Sequence, residues 1–207
     1  MNPGVKNITV RFDGKEVFRD FSLDFPEGAV CCIKGPSGCG KTTLLNVLSG
    51  LLIPDSGEVT GLEGRTVSFA FQESRLLPWK TVAGNVDFVL SREMPAGERA
   101  QRVRKWLECV YMEDSADLWP SQLSGGMARR AALARAIAPE ADILLLDEPF
   151  TGIDQDLKEK IMGNLKEVWK QSRTTVIMVT HDMTEAQALA DEKIDLQTYP
   201  RTCLNGE

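Results

Sequence analysis

The sequence of 207 residues predicts an α/β fold with a mainly parallel sheet, an antiparallel β part near the N-terminus and an inserted helical region. Three observations lead to this prediction. Short segments near the N-terminus alternate apolar and polar residues with a period of two, which is typical of half-buried strands. Later runs are apolar at nearly every position, as strands covered on both faces must be. Segments with helical periodicity lie between these runs, as in sheets whose parallel strands are joined by helices.

The N-terminal strands are predicted from the alternation and from the turn signals that bound it. Asp13-Gly14 and Pro26-Glu27-Gly28 are typical turn sequences, and each follows a short alternating stretch. We therefore expect two short antiparallel strands. The residues that share one face are Ile8, Val10 and Phe12 in the first stretch, and Phe21, Leu23 and Phe25 in the second.

The parallel strands are predicted from apolar runs, which occupy residues 29–33, 143–146 and 176–179. One further strand is indicated by the alternation of Val67, Phe69 and Phe71. The helices are predicted from apolar residues at helical spacing. These are Leu44, Leu45, Val47, Leu48, Leu51 and Leu52 after the first run, and Leu157, Ile161, Leu165, Val168 and Trp169 between the last two.

The region from about residue 73 to residue 139 is mostly helical in composition and interrupts the α/β pattern. We expect one domain over residues 1–207. In it, residues of about 1–72 and 140–207 form the α/β core with its antiparallel part, and residues of about 73–139 form a helical subdomain.

Composition excludes several classes of protein. With 43% hydrophobic and 26% charged residues, the chain is typical of a globular protein and not of a disordered or fibrous one. Its apolar runs are far shorter than a membrane span, and its N-terminus lacks a secretory signal pattern, so we expect a cytoplasmic protein. A net charge of −6 argues against nonspecific binding of nucleic acid. The five cysteines fit reduced thiols better than a disulfide framework or zinc site.

A phosphate-binding loop is the first functional motif. Its glycines let backbone N–H groups curl around a phosphate, and the following helix directs its positive dipole end at the anion. We expect Lys41 to add a charge for the β and γ oxygens and the Thr42 hydroxyl to coordinate Mg²⁺. The alternative is a glycine-rich turn with an incidental lysine. Cys39 is either a redox-sensitive position or a small residue with its side chain turned away. The motif is Gly35-Pro36-Ser37-Gly38-Cys39-Gly40-Lys41-Thr42.

Two carboxylates follow the apolar run of residues 143–146, where ligands of parallel sheets bind. Asp147 is a candidate Mg²⁺ ligand. Glu148 is a candidate general base that orients and polarises an attacking water. The alternative is that the pair is a helix cap and a surface acid before Pro149.

A second anion-binding helix start is predicted at Ser124, Gly125 and Gly126. Ser124 is a good N-cap, and the alanine-rich stretch after it favours a helix. Two glycines in a first turn disfavour that helix, so we infer that another group approaches their backbone closely. A flexible hinge is the alternative.

At residues 123–126 the sequence resembles the ATP-binding subunits of ATP-binding-cassette transporters, whose signature motif is Leu-Ser-Gly-Gly. The resemblance covers nearly the whole chain and implies a P-loop NTPase core of the RecA-like kind that binds ATP and Mg²⁺. In that family the signature of one subunit closes over the ATP held by the phosphate loop of another. It therefore implies a head-to-tail dimer with a second copy or a paralogous ATPase subunit.

Other positions match the family in order. The resemblance implies that Gln72 contacts Mg²⁺ and water, that His181 senses the γ-phosphate and that Thr43 joins the phosphate contacts. It places Asp154 in the D-loop, although Thr-Gly-Ile-Asp departs from the usual Ser-Ala-Leu-Asp, and it places Phe12 under the adenine. Without the resemblance, Gln72 is an ordinary strand-end residue, His181 a capping residue and Phe12 a core residue.

Residues 76–82, Leu-Leu-Pro-Trp-Lys-Thr-Val, resemble importers of nitrate, sulfonate, taurine and similar solutes. This implies a separate membrane permease, indirectly an extracytoplasmic solute-binding protein, and a location on the inner face of the cell membrane. Leu76, Leu77 and Trp79 either line a groove for a helix of the permease or pack the core of the insertion.

Some features depart from the family or favour alternatives. After His181 the chain runs only to residue 207, so we expect no regulatory domain and shortened last strands. Asp191-Glu192-Lys193 stands where an Asp-Arg pair is common. A soluble cassette ATPase acting on nucleic acid or the ribosome is the main alternative, but this acidic chain has neither a coiled coil nor a second cassette. An idle nucleotide-binding partner does not need Glu148 and His181, and a P-loop kinase or GTPase does not explain residues 124–126.

Overall fold

The computed structural model describes residues 1–91 and 94–198. These residues form a three-stranded antiparallel sheet, a five-stranded parallel sheet and six α-helices. The elements in chain order are β1 (Gly4–Phe12), β2 (Lys15–Asp24), β3 (Val30–Lys34), α1 (Lys41–Leu48), β4 (Ser56–Thr60), β5 (Val67–Ala70), α2 (Val82–Phe88), α3 (Ala96–Cys109), α4 (Gly125–Ile137), β6 (Ile143–Asp147), α5 (Gln155–Gln171), β7 (Thr175–Val179), α6 (Met183–Leu189) and β8 (Glu192–Asp195).

The antiparallel sheet has the strand order β2-β1-β4. It confirms the predicted N-terminal pair and adds β4, which the Gly-containing sequence of that strand did not reveal. Ile8 and Val10 are buried as expected, but Phe12 is 46% exposed. Register shifts between β1 and β2 interrupt the simple alternation, so Phe12 does not share the buried face with the other two.

The parallel sheet has the order β5-β6-β7-β3-β8, and every neighbouring pair runs parallel. Its central strands β6 and β7 are buried at every position, as the apolar runs predict. β5 is an edge strand, and it corrects one expectation: Val67 is exposed, whereas Ala70 is the buried residue. The carboxyl ends of β3, β6 and β7 lie side by side, which places the loops after them together.

Side chains of the parallel strands alternate between two apolar clusters, one on each face of the sheet. Ile33 and Leu145 join the antiparallel sheet and α1 on one face. Leu144 and Met178 join the five other helices on the opposite face. The parallel sheet therefore lies between a β-rich layer and a helical layer, as expected for an α/β fold.

The helix after β3 is shorter than the apolar spacing predicts. It ends at Leu48, and Gly50 has a left-handed backbone with φ 74°. Leu51, which we expected on the helix, is 62% exposed. Glycine in this conformation is a common helix stop, and the apolar residues beyond it belong to the following loop.

The last described strand, β8, pairs with β3 and follows α6. The carboxylate of Asp191 accepts a hydrogen bond from the Val30 N–H at 2.9 Å, so this residue links the two strands. The sequence predicts shortened last strands, and β8 has four residues. Residues 199–207 lie outside the described part of the chain.

Among the described residues, no helix is both long and apolar enough to cross a membrane. The thiols of Cys31 and Cys32 are buried in the sheet, and burial raises the pKa of each to about 12. Burial also raises the pKa of Cys109 to about 11. Thiols with such high pKa values are protonated and unreactive at neutral pH, which fits the expectation of reduced core cysteines.

Candidate functional site

The phosphate loop joins β3 to α1, and two of its three glycines, Gly35 and Gly40, have no room for a side chain, whereas a Cβ on Gly38 would meet nothing within 4 Å. A Cβ on Gly40 would lie 2.8 Å from Val17 Cγ1, and Gly40 has φ 93°. A Cβ on Gly35 would lie 2.6 Å from the Sγ of Cys39. Cys39 is buried and directed into the loop, which agrees with a small residue whose side chain is turned away.

The helix that follows this loop begins at Lys41. Its N-cap, Gly40, has no side chain to accept a hydrogen bond from the first turn. The Lys41 ammonium donates to the carbonyl oxygens of Gly35 at 2.8 Å and Pro36 at 3.0 Å. An uncapped helix start and an ammonium group therefore occur together, an arrangement that attracts anions.

Asp147, at the end of β6, lies against the start of α1. Its Oδ2 accepts a hydrogen bond from the Thr42 hydroxyl at 2.8 Å. The carboxylate is buried, and burial raises its pKa, although the hydrogen bond from Thr42 has the opposite effect. A carboxylate and a hydroxyl oxygen are hard donors of the kind that Mg²⁺ takes in nucleotide sites, so the residues present fit this ion.

Glu148 connects the loops that follow β6 and β7. Its backbone is left-handed, with φ 49°, and its N–H donates to the carbonyl of Val179 at 2.9 Å. Its Oε2 accepts from the Thr151 hydroxyl at 3.2 Å, and its Oε1 lies 3.2 Å from Nδ1 of His181. Non-glycine residues with strained backbones often occur at functional sites. Here the strain directs a carboxylate towards the exposed His181.

These elements surround one cavity of about 330 Å³ at the carboxyl edge of the sheet. Sequence reasoning predicted most of its lining but missed Val17 and Val179, which carry no chemical signal in a sequence. Phe12, Asp154 and His181 are not among its described lining residues, nor are the signature residues. The cavity is lined by Val17, Ser37, Gly38, Gly40, Lys41, Thr42, Thr43, Gln72, Asp147, Glu148 and Val179.

The signature residues begin α4 as predicted. Ser124 is the N-cap and accepts a hydrogen bond from the Met127 N–H at 3.2 Å. A Cβ on Gly126 would lie 2.9 Å from the Gly152 carbonyl oxygen, whereas a Cβ on Gly125 would meet nothing within 4 Å. The chain itself therefore explains one glycine by close approach and leaves the other facing open space.

Asp154 is the N-cap of α5. Its Oδ1 accepts from the backbone N–H groups of Asp156 at 3.1 Å and Leu157 at 3.4 Å. The described structure thus shows a capping role, and it places Asp154 at the end of the loop that passes Gly126.

The segment after Gln72 is held by polar side chains that the sequence analysis did not identify. Arg135, on α4, donates to the carbonyls of Ser74 and Arg75. Asn85 is fully buried in α2 and bonds both the N–H and the carbonyl of Leu77. An asparagine between valines on an apolar helix face is a signal that could have revealed this role, because a buried amide needs partners.

The residues expected to line a partner groove do not share one role: some pack the core and some are exposed. Leu76 packs against the core, while Trp79 is 67% exposed. A cavity of about 520 Å³ lies nearby, and its lining includes Leu77, Phe88 and Arg135. An apolar surface of this kind is typical of a protein contact.

Comparisons with known proteins agree with this geometry. Residues 18–151 match the family model described as ABC transporter. The chain is 42% identical over 193 residues to an aliphatic sulfonates import ATP-binding protein of Mesorhizobium japonicum, covering 91% of this chain and 73% of that protein. It is 37% identical over 208 residues to an uncharacterized ABC transporter ATP-binding protein of Methanocaldococcus jannaschii, covering 95% and 78%. A solved dimeric ATP-binding cassette in a post-hydrolysis state, bound to ADP and Pi, superposes with a TM-score of 0.83 at 31% identity, covering 93% of this chain and 96% of that one.

Proposed function

This chain belongs to the ABC transporter family as an ATP-binding subunit, and we propose that it hydrolyses ATP to power import of a small solute through a separate membrane permease. The observation that carries the proposal is the single cavity in which the phosphate loop, Gln72, Asp147 and Glu148 meet. Each group has a place in phosphoryl transfer to water. A glycine-rich turn with unrelated neighbours would not bring them together.

Binding of ATP would begin with a change of partners at Lys41. Its ammonium now bonds two loop carbonyls, and the β- and γ-phosphate oxygens are stronger, charged acceptors. The backbone amides of residues 35–43 and the start of α1 would bind the remaining oxygens. Phe12, exposed at the end of β1, would stack under the adenine.

Thr42, Asp147 and Gln72 would hold Mg²⁺. When bound, the ion would neutralise negative charge that develops on the phosphate oxygens. Burial raises the pKa of Asp147, and a bound cation would act in the opposite direction by stabilising the ionised carboxylate.

Glu148 would orient the attacking water and accept its proton. Its Oε1 already lies 3.2 Å from His181, and its Oε2 accepts from Thr151. Two fixed contacts restrict the rotation of the carboxylate, which a general base requires. His181 would hold Glu148 with one ring nitrogen and contact the γ-phosphate with the other.

A second copy of the chain, or a paralogous subunit, would complete the site. The signature residues begin α4, yet they do not line the cavity in the described structure. Open space at Gly125 leaves room for a nucleotide held by another chain. The solved cassette with ADP and Pi is a dimer, which supports a head-to-tail pair in which Asp154 lies near the shared sites.

The permease would dock where Trp79 and the neighbouring apolar cavity are exposed. The relative from Mesorhizobium japonicum acts in import of aliphatic sulfonates, so we propose a small solute such as a sulfonate, taurine or nitrate. An extracytoplasmic solute-binding protein would deliver it. The chain would lie on the cytoplasmic face of the membrane, and residues of about 73–139 would form the helical subdomain.

A soluble cassette ATPase acting on nucleic acid or the ribosome is the second candidate. The net charge of −6 opposes it, because nucleic-acid binding needs a positive surface. Purification from cells separates the two. Recovery of a multi-span membrane protein that is lost in a Trp79→Ser variant supports transport, whereas recovery of RNA or ribosomes supports the alternative.

Glu148→Gln tests the catalytic proposal directly. The amide keeps the shape of the side chain but cannot accept the proton, so we expect ATP turnover to fall at least 100-fold. ATP should still bind, and ATP with Mg²⁺ should shift the chain to a dimer in light scattering. Glu159→Gln, on the exposed surface of α5, is the matched control. Turnover near that of the parent chain in Glu148→Gln would contradict the assignment.

A further inference from the structure

Lys158 is a buried cation that the proposed chemistry does not use. It lies one turn into α5 and is 8% exposed. Its ammonium donates to Asp182 Oδ2 at 2.8 Å and to Glu185 Oε1 at 3.1 Å. Burying a lysine and a glutamate is costly unless the charges are paired, so this cluster needs a reason beyond surface solvation.

The cluster holds the residues on both sides of His181. Thr180 is buried, and its hydroxyl donates to Glu185 Oε2 at 2.6 Å and accepts from the Asp182 N–H at 3.0 Å. Asp182 caps α6 through the Thr184 N–H and also accepts from Lys158. The turn that carries His181 is therefore fixed through its neighbours, because the ring itself is 66% exposed.

Lys158 is the one cation that contacts the two carboxylates within residues 1–91 and 94–198. Its hydrogen bond is the main reason why the pKa of Asp182 lies far below the usual range. Burial alone would lower the pKa of Lys158, but its bonds to Asp182 and Glu185 raise it. Without the ammonium, Asp182 and Glu185 would repel each other across the turn that holds His181.

The helix bearing Lys158 also leads back to the other catalytic loop. α5 begins directly after residues 151–154, where the Thr151 hydroxyl donates to Glu148. A contact at Lys158 thus connects the loop after β6 to the loop after β7. These two loops carry the Glu148 and His181 side chains that meet at 3.2 Å.

We propose that Lys158 is a positioning residue for ATP hydrolysis, which ties α5 to the turn of residues 180–182 and so holds His181 against Glu148. The inference rests on the proposed roles of those two residues. Lys158 is not among the described residues that line the nucleotide cavity, so it acts on the rate of the chemical step and not on nucleotide binding.

The test compares Lys158→Met with Lys160→Met in the full chain. Both changes replace a lysine of α5 by an apolar residue of similar length, but Lys160 is exposed and makes no described ion pair. We expect Lys158→Met to lower kcat about tenfold, as misplacement of a catalytic group does, with the KM for ATP changed less than twofold. Lys160→Met should match the parent, and Lys158→Arg should recover most of kcat.

A double variant decides whether Lys158 acts through His181. If it does, Lys158→Met should lower the single-turnover rate no further in a His181→Ala background. A further tenfold fall there, or an unchanged kcat in Lys158→Met, overturns the inference while leaving the proposed ATPase intact. An unchanged kcat in His181→Ala overturns the sensor role itself, and the inference with it.

Loss of folding in Lys158→Met is detected by thermal unfolding and is avoided by a second variant. Lys158→Met with Glu185→Gln removes the cation together with the carboxylate that is most deeply buried. This pair should also turn over ATP about tenfold more slowly, because the tie to α5 is absent. Parental kcat in the pair would overturn the proposal.

Discussion

Two helix starts in this molecule are the proposed phosphate-binding sites, yet their surroundings differ. At the start of α1, Lys41 and Thr42 are joined by Asp147, and Glu148 and His181 follow from neighbouring loops. At the start of α4, Ser124 caps its own helix and Gly125 faces open space.

The difference shows what sheet topology contributes: a helix start becomes a reaction site when neighbouring strands bring other loops against it. β3, β6 and β7 are adjacent in the sheet, so the loops at their carboxyl ends converge on α1. α4 begins away from that edge, and in its first turn a Cβ on Gly126 would approach the Gly152 carbonyl oxygen. One start is surrounded by chemical groups of its own chain, while the other has none facing Gly125.

Mixing two inactive variants is the strongest way to break this comparison. We expect Lys41→Met and Gly125→Glu each to lower ATP turnover at least 100-fold, by removing a phosphate contact and by repelling the phosphate. Mixed, they should form hetero-pairs in which one chain keeps the loop and the other the signature, which should raise turnover at least tenfold. A mixture no more active than its components would show that both starts serve the same chain.

Asp147→Asn tests the start of α1, where other groups of the same chain are already in place. Turnover should fall at least 100-fold, because the amide cannot supply the charge that Mg²⁺ requires. The nucleotide-free chain should nevertheless unfold at a higher temperature than the parent at pH 7. The pKa of Asp147 is raised in the folded chain, so its ionised form opposes folding at neutral pH.

The pH dependence checks the sign of that effect. Below the unfolded pKa of about 3.8 the aspartate is protonated in both states, so the advantage of asparagine should disappear. Scanning calorimetry of both forms from about pH 3 to about pH 7 measures the difference in unfolding temperature across this pKa. An advantage that grows towards acid would contradict the assigned burial effect.

Alanine at each signature glycine should give the smallest change in stability, and it separates a glycine that its own chain approaches from one that faces open space. At Gly126 the new Cβ would lie 2.9 Å from the Gly152 carbonyl oxygen, so we expect a loss of about 1 kcal/mol in unfolding free energy. At Gly125 we expect a gain of about 0.5 kcal/mol, since the space is open and alanine favours helix. Denaturant unfolding measures both.

For Gly125→Ala, activity and stability should change in opposite directions. If the backbone of Gly125 approaches a nucleotide on a second chain, Gly125→Ala should lower turnover several-fold despite its greater stability. Equal turnover in Gly125→Ala and the parent would mean that the open space at this position has no occupant.

Much of the fold could be predicted because its signals are local. Residues 143–146 and 176–179 are apolar throughout, and both became central parallel strands. β4 was not predicted and β8 was not located, because short strands with glycine or charged residues acquire their pairing from distant partners. The exposure of Phe12 depends on register shifts in β1 that no residue pattern announces.

For the candidate site, the residues proposed to do the chemistry were easier to predict than the residues that hold them in place. The glycine-rich loop, Asp147 and Glu148 are visible as motifs, and the structure brings them into one cavity. Lys158 and Asn85 were not identified, because each lies among ordinary helical residues and gains meaning from contacts with other elements. Tertiary hydrogen bonds of this kind link positions far apart in sequence, which periodicity does not encode.

The two carbonyls that hold the Lys41 ammonium give the phosphate loop a built-in competitor. A ligand must displace the carbonyl oxygens of Gly35 and Pro36 from this ammonium before it can bind to the whole loop. An anionic polyphosphate can do so, whereas an uncharged nucleoside offers nothing better than the carbonyls already present. The phosphate loop can therefore discriminate against adenosine by the absence of charge, without a steric barrier.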